Sequence, residues 1–589
     1  MIKILKNMRA KDWLLVVVSV VFITAQVWLD LKIPDYMSEI TTLVETEGSE
    51  MSAILSAGGK MLLCALASLV SALIVGFFAA RIAADFSMRL RERVYGKVMD
   101  FSMQEINRFS ISSLITRSTN DITQIQMVIA MGMQVVIKAP IMAVLAIEKI
   151  STKSWQWSAL TAGMIVLILI VIVFIMLYAL PKFKKIQWLT DNLNRVTREN
   201  LTGLQVVRAY NAEAYQEEKF EKANFALTDN NLKAHLAMSV MNPTMNLVMN
   251  GLTLGIYWIG AALISNIAIQ GVADVASRLE IFSDMVVFIS YAMQVIMAFM
   301  MLIMIFIMLP RAAVSANRIN EILDTKIAIR DGSVTAPKNG LQGEIEFRDV
   351  SFRYPDAVDD VLHHISFRAR RGETVAFIGA TGSGKSTLVN LVPRFYDATE
   401  GEVLVDGVNV RDYTQDALHD KIGYVPQKSF LFSGTVEENV LYGEETASRE
   451  EAQRAVHIAQ AKDFVERDDV GYDGTVAQAG ANFSGGQKQR LSIARAVAKR
   501  PEIYIFDDSF SALDYKTDRI LRTALKKESA GVTTLIVAQR IGTIRDADRI
   551  IVLEHGHMAG MGTHDGLMKT CDVYREIAYS QLSKEELGE

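Results

Sequence analysis

Cysteine is nearly absent. The 589 residues contain two, Cys64 inside an apolar run and Cys571 near the C-terminus, which excludes a disulfide framework and a thiolate metal site. Charge of either sign is not in excess either: the net charge is −5, and bulk electrostatics point to no nucleic-acid partner. Residues 33–59 lack Lys and Arg altogether. Glycine and proline are sparse in two long polar stretches, roughly 83–129 and 181–241. These are too long for simple turns and read as helical. The N-terminus is basic and then apolar but lacks a small-residue cleavage pattern, so it reads as a retained first membrane helix rather than a leader.

Hydrophobic residues make up 50% of the chain and the mean hydropathy is +0.21, which is high for a soluble enzyme. The excess sits in the first ~320 residues, and the length requires more than one core. Six segments are long and apolar enough to span a bilayer as helices: Trp13–Ile33, Met61–Ile82, Met133–Ile150, Ala159–Leu180, Met245–Ile267 and Ile281–Leu309. Lys138 and Pro140 interrupt the third, which is tolerable only if neighbouring helices accommodate them. Basic residues flank alternate ends of the spans: Lys3, Lys6, Arg9 and Lys11; Arg89, Arg91, Arg93 and Lys97; Lys182, Lys184 and Lys185; Arg311 and Arg318. This bias places both termini in the cytosol, with Lys149, Lys153 and Arg278 as minor exceptions. The two long polar stretches then read as membrane helices that continue into the cytosol and turn back, around residues 117–121 and 203–210. They are either solvated surface or elements that couple a cytosolic motor to the membrane. Asp30, Lys32, Lys60, Lys138, Glu148 and Lys149 lie in or beside the spans, where snorkelling accounts for most of them. Met293, Met297, Met300, Met301, Met304 and Met308 suit either an adaptable apolar cavity or ordinary packing. The organisation expected is an all-α six-helix transmembrane domain (1–320), a linker (321–342) and an α/β domain (343–589).

In the last part, Ile503 to Phe506 form an apolar run ending in Asp507 and Asp508. A buried strand that ends in carboxylates presents them at the edge where α/β sheets bind ligands. A second strand, Thr374 to Ile378, leads into Gly379-Ala380-Thr381-Gly382-Ser383-Gly384-Lys385-Ser386-Thr387, a full phosphate-loop pattern in strand–loop–helix context. Its glycines let backbone N–H groups surround phosphate, and the following helix N-terminus adds positive potential. Lys385 reaches the β- and γ-phosphates of ATP, while Ser386 and Asp507 are the candidate Mg²⁺ ligands.

Ser484-Gly485-Gly486-Gln487, inside Asn482 to Arg490, narrows the family. Here the chain resembles the ATP-binding cassette (ABC) transporters, in particular exporter half-transporters, over essentially its whole length. Phe483 departs from the Leu usual in that signature. The resemblance implies that Tyr354 stacks on adenine and that Gln427 senses the γ-phosphate and Mg²⁺. It also places Asp514, in Ser511-Ala512-Leu513-Asp514, in a loop that crosses the dimer. Two such motors face head to tail, each ATP lying between one P-loop and the other chain's Ser-Gly-Gly-Gln.

Two positions depart from the family. Asp508 stands where the catalytic Glu is expected; one methylene fewer draws the carboxylate back by about 1.5 Å. Gln539 stands where the switch His is expected, and glutamine carries no positive charge. The expectation is ATP-driven export of hydrophobic or amphipathic compounds, drugs or lipids, across the plasma membrane, by a multi-pass heterodimer. This chain would supply the hydrolysis-impaired site and its partner, a second half-transporter, the working one. The alternatives are a homodimer with two slow sites, a lipid flippase, and a nucleotide-gated sensor.

Overall fold

The computed structural model describes residues 2–6, 8–46, 49–267, 272–336, 340–444, 446–467 and 471–581. The chain forms two compact units, Met1–Lys97 with Ser112–Thr325, and Val98–Ile111 with Lys326–Glu589. Each is described by itself.

The first unit is all helical. Its long helices are α1 (Ala10–Glu45), α2 (Met51–Met99), α3 (Asn120–Ser151), α4 (Trp155–Thr202), α5 (Glu213–Ser239), α6 (Met241–Ser265) and α7 (Val272–Asp324). Six helical segments among the described residues are long and apolar enough to cross a membrane. Each expected span falls within one of these helices except the fifth, which overruns the end of α6 by two residues. The helices are twice the length of a bilayer crossing: α2 has 49 residues and α4 has 48. Their polar halves form the extensions expected from the sequence. Large apolar side chains such as Leu63, Phe174 and Leu177 are exposed, as a lipid-facing surface requires.

Pro34, Pro140 and Pro181 all lie inside helices. In water each would cost about 3 kcal/mol, but an apolar surround gives the freed carbonyls no better alternative than the helix. Several charges in or beside the spans are paired. Lys138 Nζ lies 3.2 Å from Asp30, Lys149 Nζ 2.8 Å from Asp35, and Lys153 bonds to Asp284. Around them Ile23, Val27, Leu31, Trp157, Phe288 and Val295 make a buried core. Gly260 allows the close approach there, since an added Cβ would meet the Met285 sulfur at 2.5 Å.

One sequence expectation needs correction. Residues 117–121 do not form a loop: Arg117 and Ser118 end the helix Ile111–Ser118, and Asn120 and Asp121 open α3. Their side chains pin that region to α7, Arg117 to Glu321 at 2.7 Å and Asp121 to Ser315 at 2.9 Å. The segment that leaves the first unit is 98–111, carrying the short helix Met103–Phe109. The expected second turn, 203–210, is the short helix Leu204–Ala209. Of the methionine stripe, the side chain of Met308 lies outside the described residues.

The second unit carries two main sheets. One is antiparallel and built from β1 (Ile345–Phe352), β2 (Leu362–Ala369), β4 (Glu400–Val405) and β5 (Val408–Asn409), in the order β2-β1-β4-β5. The other has six strands. These are β3 (Thr374–Gly379), β6 (Ile422–Val425), β7 (Ile503–Asp507), β8 (Thr533–Val537), β9 (Arg549–Glu554) and β10 (His557–Gly562), in the order β10-β9-β3-β8-β7-β6. Only the β9–β10 pair of that sheet is antiparallel. Side chains alternate between two cores: Ile503 and Ile505 join one with Leu535 and Phe377, whereas Tyr504 and Phe506 join the other with Ile536 and Ala376. A sheet buried on both faces explains why these strands read as unbroken apolar runs.

Asp406-Gly407 turns β4 into β5, both with positive φ (54° and 73°), as a two-residue hairpin requires. The Asp406 carboxylate is fully buried, accepting from Glu344 N–H at 2.9 Å and pairing with Lys421 at 3.0 Å; Lys421 also reaches Glu502 at 2.7 Å. Removing one member of a buried pair leaves the other charge uncompensated. Lys421→Met should therefore destabilise this unit by about 3–5 kcal/mol, read as a lowered unfolding midpoint of the purified full chain. A change within 1 °C of wild type would show that the pair is dispensable.

Candidate nucleotide site

Three parallel strands, β3, β7 and β8, end side by side. Val537 is in register with both Phe377 and Asp507, so the residues that follow each strand emerge at one edge. From β3 the chain enters the loop 379–384 and then α8 (Lys385–Asn390). Two glycines of the loop are required by their surroundings. A Cβ on Gly379 would lie 2.0 Å from the Leu553 carbonyl oxygen, and one on Gly384, at φ 91°, would lie 2.7 Å from Leu362. Lys385 folds back over the loop and donates to the carbonyls of Gly379 and Ala380, both at 2.8 Å, and to Ser383 Oγ at 3.3 Å. Burial lowers the Lys385 ammonium from its ordinary value, while Asp508 and Asp507 work in the opposite direction. A partly desolvated ammonium caged by carbonyls is poised for a stronger anion.

Ser386 Oγ donates to Asp507 Oδ1 at 2.6 Å. Burial raises the Asp507 carboxyl, the charge of Asp508 adds to that, and the Ser386 hydrogen bond and Lys385 oppose it. Asp508 follows at φ 48°, a left-handed conformation that Asp adopts more readily than most side chains. Its Oδ2 accepts from two amides, Gln539 Nε2 at 2.7 Å and Gln427 Nε2 at 3.1 Å. Thus the structure brings Gly379, Thr381, Gly382, Ser383, Gly384, Lys385, Ser386, Thr387, Asp507, Asp508, Gln427 and Gln539 to one sheet edge. Tyr354 is tied in by its hydroxyl, 2.9 Å from Thr387 Oγ1, and stands edge-on to Phe352 and Tyr396.

The remaining expected residues are elsewhere. Ser484 caps the helix α9 (Gly485–Ala498): its Oγ accepts from Gln487 N–H at 3.3 Å and its own N–H donates to Gln487 Oε1 at 2.8 Å. A Cβ on Gly486 would lie 3.2 Å from the Ala512 carbonyl oxygen, so the signature rests on the loop before Asp514. Asp514 caps the next helix, Tyr515–Glu528, through Thr517 N–H at 3.0 Å. Among the described residues, no hydrogen bond joins Ser484–Gln487 or Asp514 to the loop 379–387.

Two supporting roles were not read from the sequence, although Gln489 lies inside the run Asn482 to Arg490. Gln489 Nε2 donates to the Asp508 carbonyl at 3.3 Å. Gln581, on α10 (Asp572–Gln581), spans the segment after β8, accepting from Ile541 N–H at 2.9 Å and donating to the Gln539 carbonyl at 2.8 Å. Isolated glutamines on helix faces look like solvated surface until the fold brings their partners to them.

The donors fit a hard cation. A hydroxyl (Ser386), a carboxylate (Asp507) and the amide oxygen of Gln427 form an oxygen set of the kind Mg²⁺ takes, with nucleotide phosphates supplying the rest. The 2.6 Å Ser386–Asp507 contact already brings two of these donors together.

Comparisons with known proteins agree with this architecture. Residues 16–299 match the ABC transporter transmembrane region and residues 362–511 the ABC transporter family. An uncharacterized ABC transporter ATP-binding protein of Mycobacterium tuberculosis is 40% identical over 544 residues, covering 91% of this chain and 90% of that protein. The ATP-dependent lipid A-core flippase of Syntrophus aciditrophicus is 31% identical over 537 residues, 89% of this chain and 84% of that protein. The solved structure of a bacterial Atm1-family ABC exporter with ATP bound superposes with a TM-score of 0.78 at 25% identity, covering 98% of this chain and all of that one. The chain therefore belongs to the ABC transporter family and is an exporter-type half-transporter, a multi-pass membrane protein with its own ATP-binding domain.

Proposed function

We propose that this chain is the ATP-holding half of a heterodimeric exporter, moving hydrophobic or amphipathic compounds at the expense of ATP hydrolysed mainly in its partner's site. The observation that carries the reading is the Asp508 carboxylate, one methylene short of a glutamate and bracketed by the amides of Gln427 and Gln539. A general base must reach the water it activates. Here the side chain is short and its Oδ2 is already engaged by two donors. Gln539 can hydrogen-bond a γ-phosphate but cannot bring positive charge to it.

The rest of the pocket supports binding. Lys385 and the loop amides would hold the phosphates, Tyr354 the adenine, and Ser386 with Asp507 and Gln427 the Mg²⁺, which when bound neutralises phosphate charge. Ser484 and Gly485 are exposed at a helix N-terminus, a natural anion site, and would complete the partner's nucleotide pocket. Both termini would face the cytosol of the plasma membrane, since basic residues cluster at that boundary. The segment 98–111, which belongs to the ATP-binding unit although helices of the membrane unit flank it, would couple the two. Lipid substrates are favoured over other amphiphiles by relatives named lipid A-core flippases.

Asymmetry is tested in the assembled pair. Replacing the partner's catalytic Glu by Gln should lower ATPase turnover by about 100-fold or more, whereas Asp508→Ala should leave most of it; equal losses would overturn the heterodimer reading. Ser484→Ala should slow hydrolysis in the partner's site, measured as loss of hydrolysis-dependent nucleotide trapping at the partner's P-loop, and undiminished trapping there would refute the head-to-tail assignment.

Asp507 allows a third test. Its raised carboxyl means that the folded state holds the proton more readily than the unfolded chain. Its stabilising contribution is complete below the unfolded pKa and lost as pH rises through the folded one, so at neutral pH the ionised group costs stability. Asp507→Asn, which still accepts from Ser386, should raise the nucleotide-free unfolding midpoint and remove the Mg²⁺-dependent stabilisation by ATP. A lower midpoint would contradict the assigned electrostatics.

A further inference from the structure

The membrane unit holds a second polar cavity with no part in nucleotide binding. It lies where the start of α1 meets α2, has a volume of about 350 Å³, and is lined by Arg9, Phe86, Arg89, Leu90, Glu92 and Arg93. Phe86, Arg89, Leu90 and Arg93 recur at i, i+3, i+4 and i+7, so one face of α2 alternates guanidinium groups with apolar walls. Phe86 and Leu90 are buried.

Arg89 lines this cavity and ties its two helices together. A terminal nitrogen of its guanidinium bonds to Asp12, which is buried and also accepts from the Arg9 N–H at 2.9 Å. Arg89 Nε is buried without a hydrogen-bond partner. A buried guanidinium donor left in that state is costly, and an anionic oxygen is the acceptor that suits it best. The three arginines face two carboxylates, Asp12 and Glu92, so the cavity remains net positive.

Its level in the bilayer follows from the chain. The apolar stretch of α1 begins at Trp13, next to Asp12, and that of α2 ends at Ile82, about two helical turns before Arg89. Trp13, Leu14, Val17 and Val21 are all exposed. An exposed Trp followed by exposed aliphatics marks the boundary between headgroups and acyl chains. A positive, arginine-lined cleft between spans at that level fits the phosphate of a lipid headgroup.

We propose that this cleft is a binding site for the phosphate of an anionic phospholipid. Arg9, Arg89 Nε–H and Arg93 are the donors, and the acyl chains lie along Trp13, Leu14 and Val17. The Arg89–Asp12 pair joins α1 to α2, so a lipid seated there braces the contact between the first two spans.

The test is native mass spectrometry of the assembled full-length transporter in detergent, with phosphatidylglycerol, phosphatidylcholine and inorganic phosphate as separate probes. Phosphatidylglycerol should bind in preference to phosphatidylcholine. The double variant Arg9→Gln/Arg93→Gln, which spares the Arg89–Asp12 pair, should weaken phosphatidylglycerol by about thirtyfold. Its phosphatidylcholine binding should not change. Equal binding of the two lipids, or undiminished phosphatidylglycerol binding by the variant, overturns the proposal. Displacement of phosphatidylglycerol by millimolar inorganic phosphate assigns the cleft to free phosphate and overturns the lipid assignment; retention of the lipid supports it.

Discussion

The parallel register of three strands is the constraint from which the nucleotide site follows. Both faces of the six-stranded sheet are buried, so β3, β7 and β8 can carry polar chemistry only where they end. Because Val537 aligns with Phe377 and with Asp507, Gly379, Asp507, Asp508 and Gln539 all leave the sheet within a residue or two of one another. A slip of one residue in any pairing would exchange the two cores and scatter these groups. The hydrophobic alternation that stabilises the domain is thus also what aims the loop, Asp507, Asp508 and Gln539 at the same point.

In the membrane unit the corresponding constraint is solvation. Helices there cannot leave charge unmatched at low cost, and Asp30, Asp35 and Asp284 each meet a lysine. Those pairs join α1 to α3 and the loop after α3 to α7, which gives the bundle specific contacts in a region where apolar packing alone would leave helix rotation weakly specified. Further along the same helices, Arg117 and Asp121 do this for α7 outside the apolar spans. Sequence patterning could not reveal this, because a run such as Arg117 to Asp121 has the composition of a turn, and its partners lie about 200 residues away.

Much of the architecture was legible. The six spans, the helical extensions and the strand–loop–helix around Lys385 follow from run length, periodicity and one dense motif. The pairing of Ser386 with Asp507, 121 residues apart, was legible only because the motif and the acid-ended strand are each recognisable alone. What was not legible depends on tertiary approach. Asp508, Gln427 and Gln539 were each singled out by the sequence, but not the bridging of Asp508 by the two amides; the contacts of Gln489 and Gln581 and the burial of Asp406 likewise appear only when the fold brings their partners together. The signature Ser484 to Gln487 was readable as a motif, yet in the structure it caps its own helix and, among the described residues, makes no hydrogen bond to the loop 379–387.

The bridge made by Gln581 has a consequence for the order in which the site is assembled during synthesis. Gln581 grips the backbone of Gln539 from 42 residues further along the chain. At ordinary elongation rates of about 5–20 residues per second, those residues take roughly 2–8 s to be made. For that interval the phosphate loop, the metal-binding acid and Gln539 have all been synthesised, but the segment carrying Gln539 lacks the helix that fixes its path. The nascent domain can therefore acquire its sheet before the edge that carries Gln539 is held in place, and closure of that edge waits for Gln581.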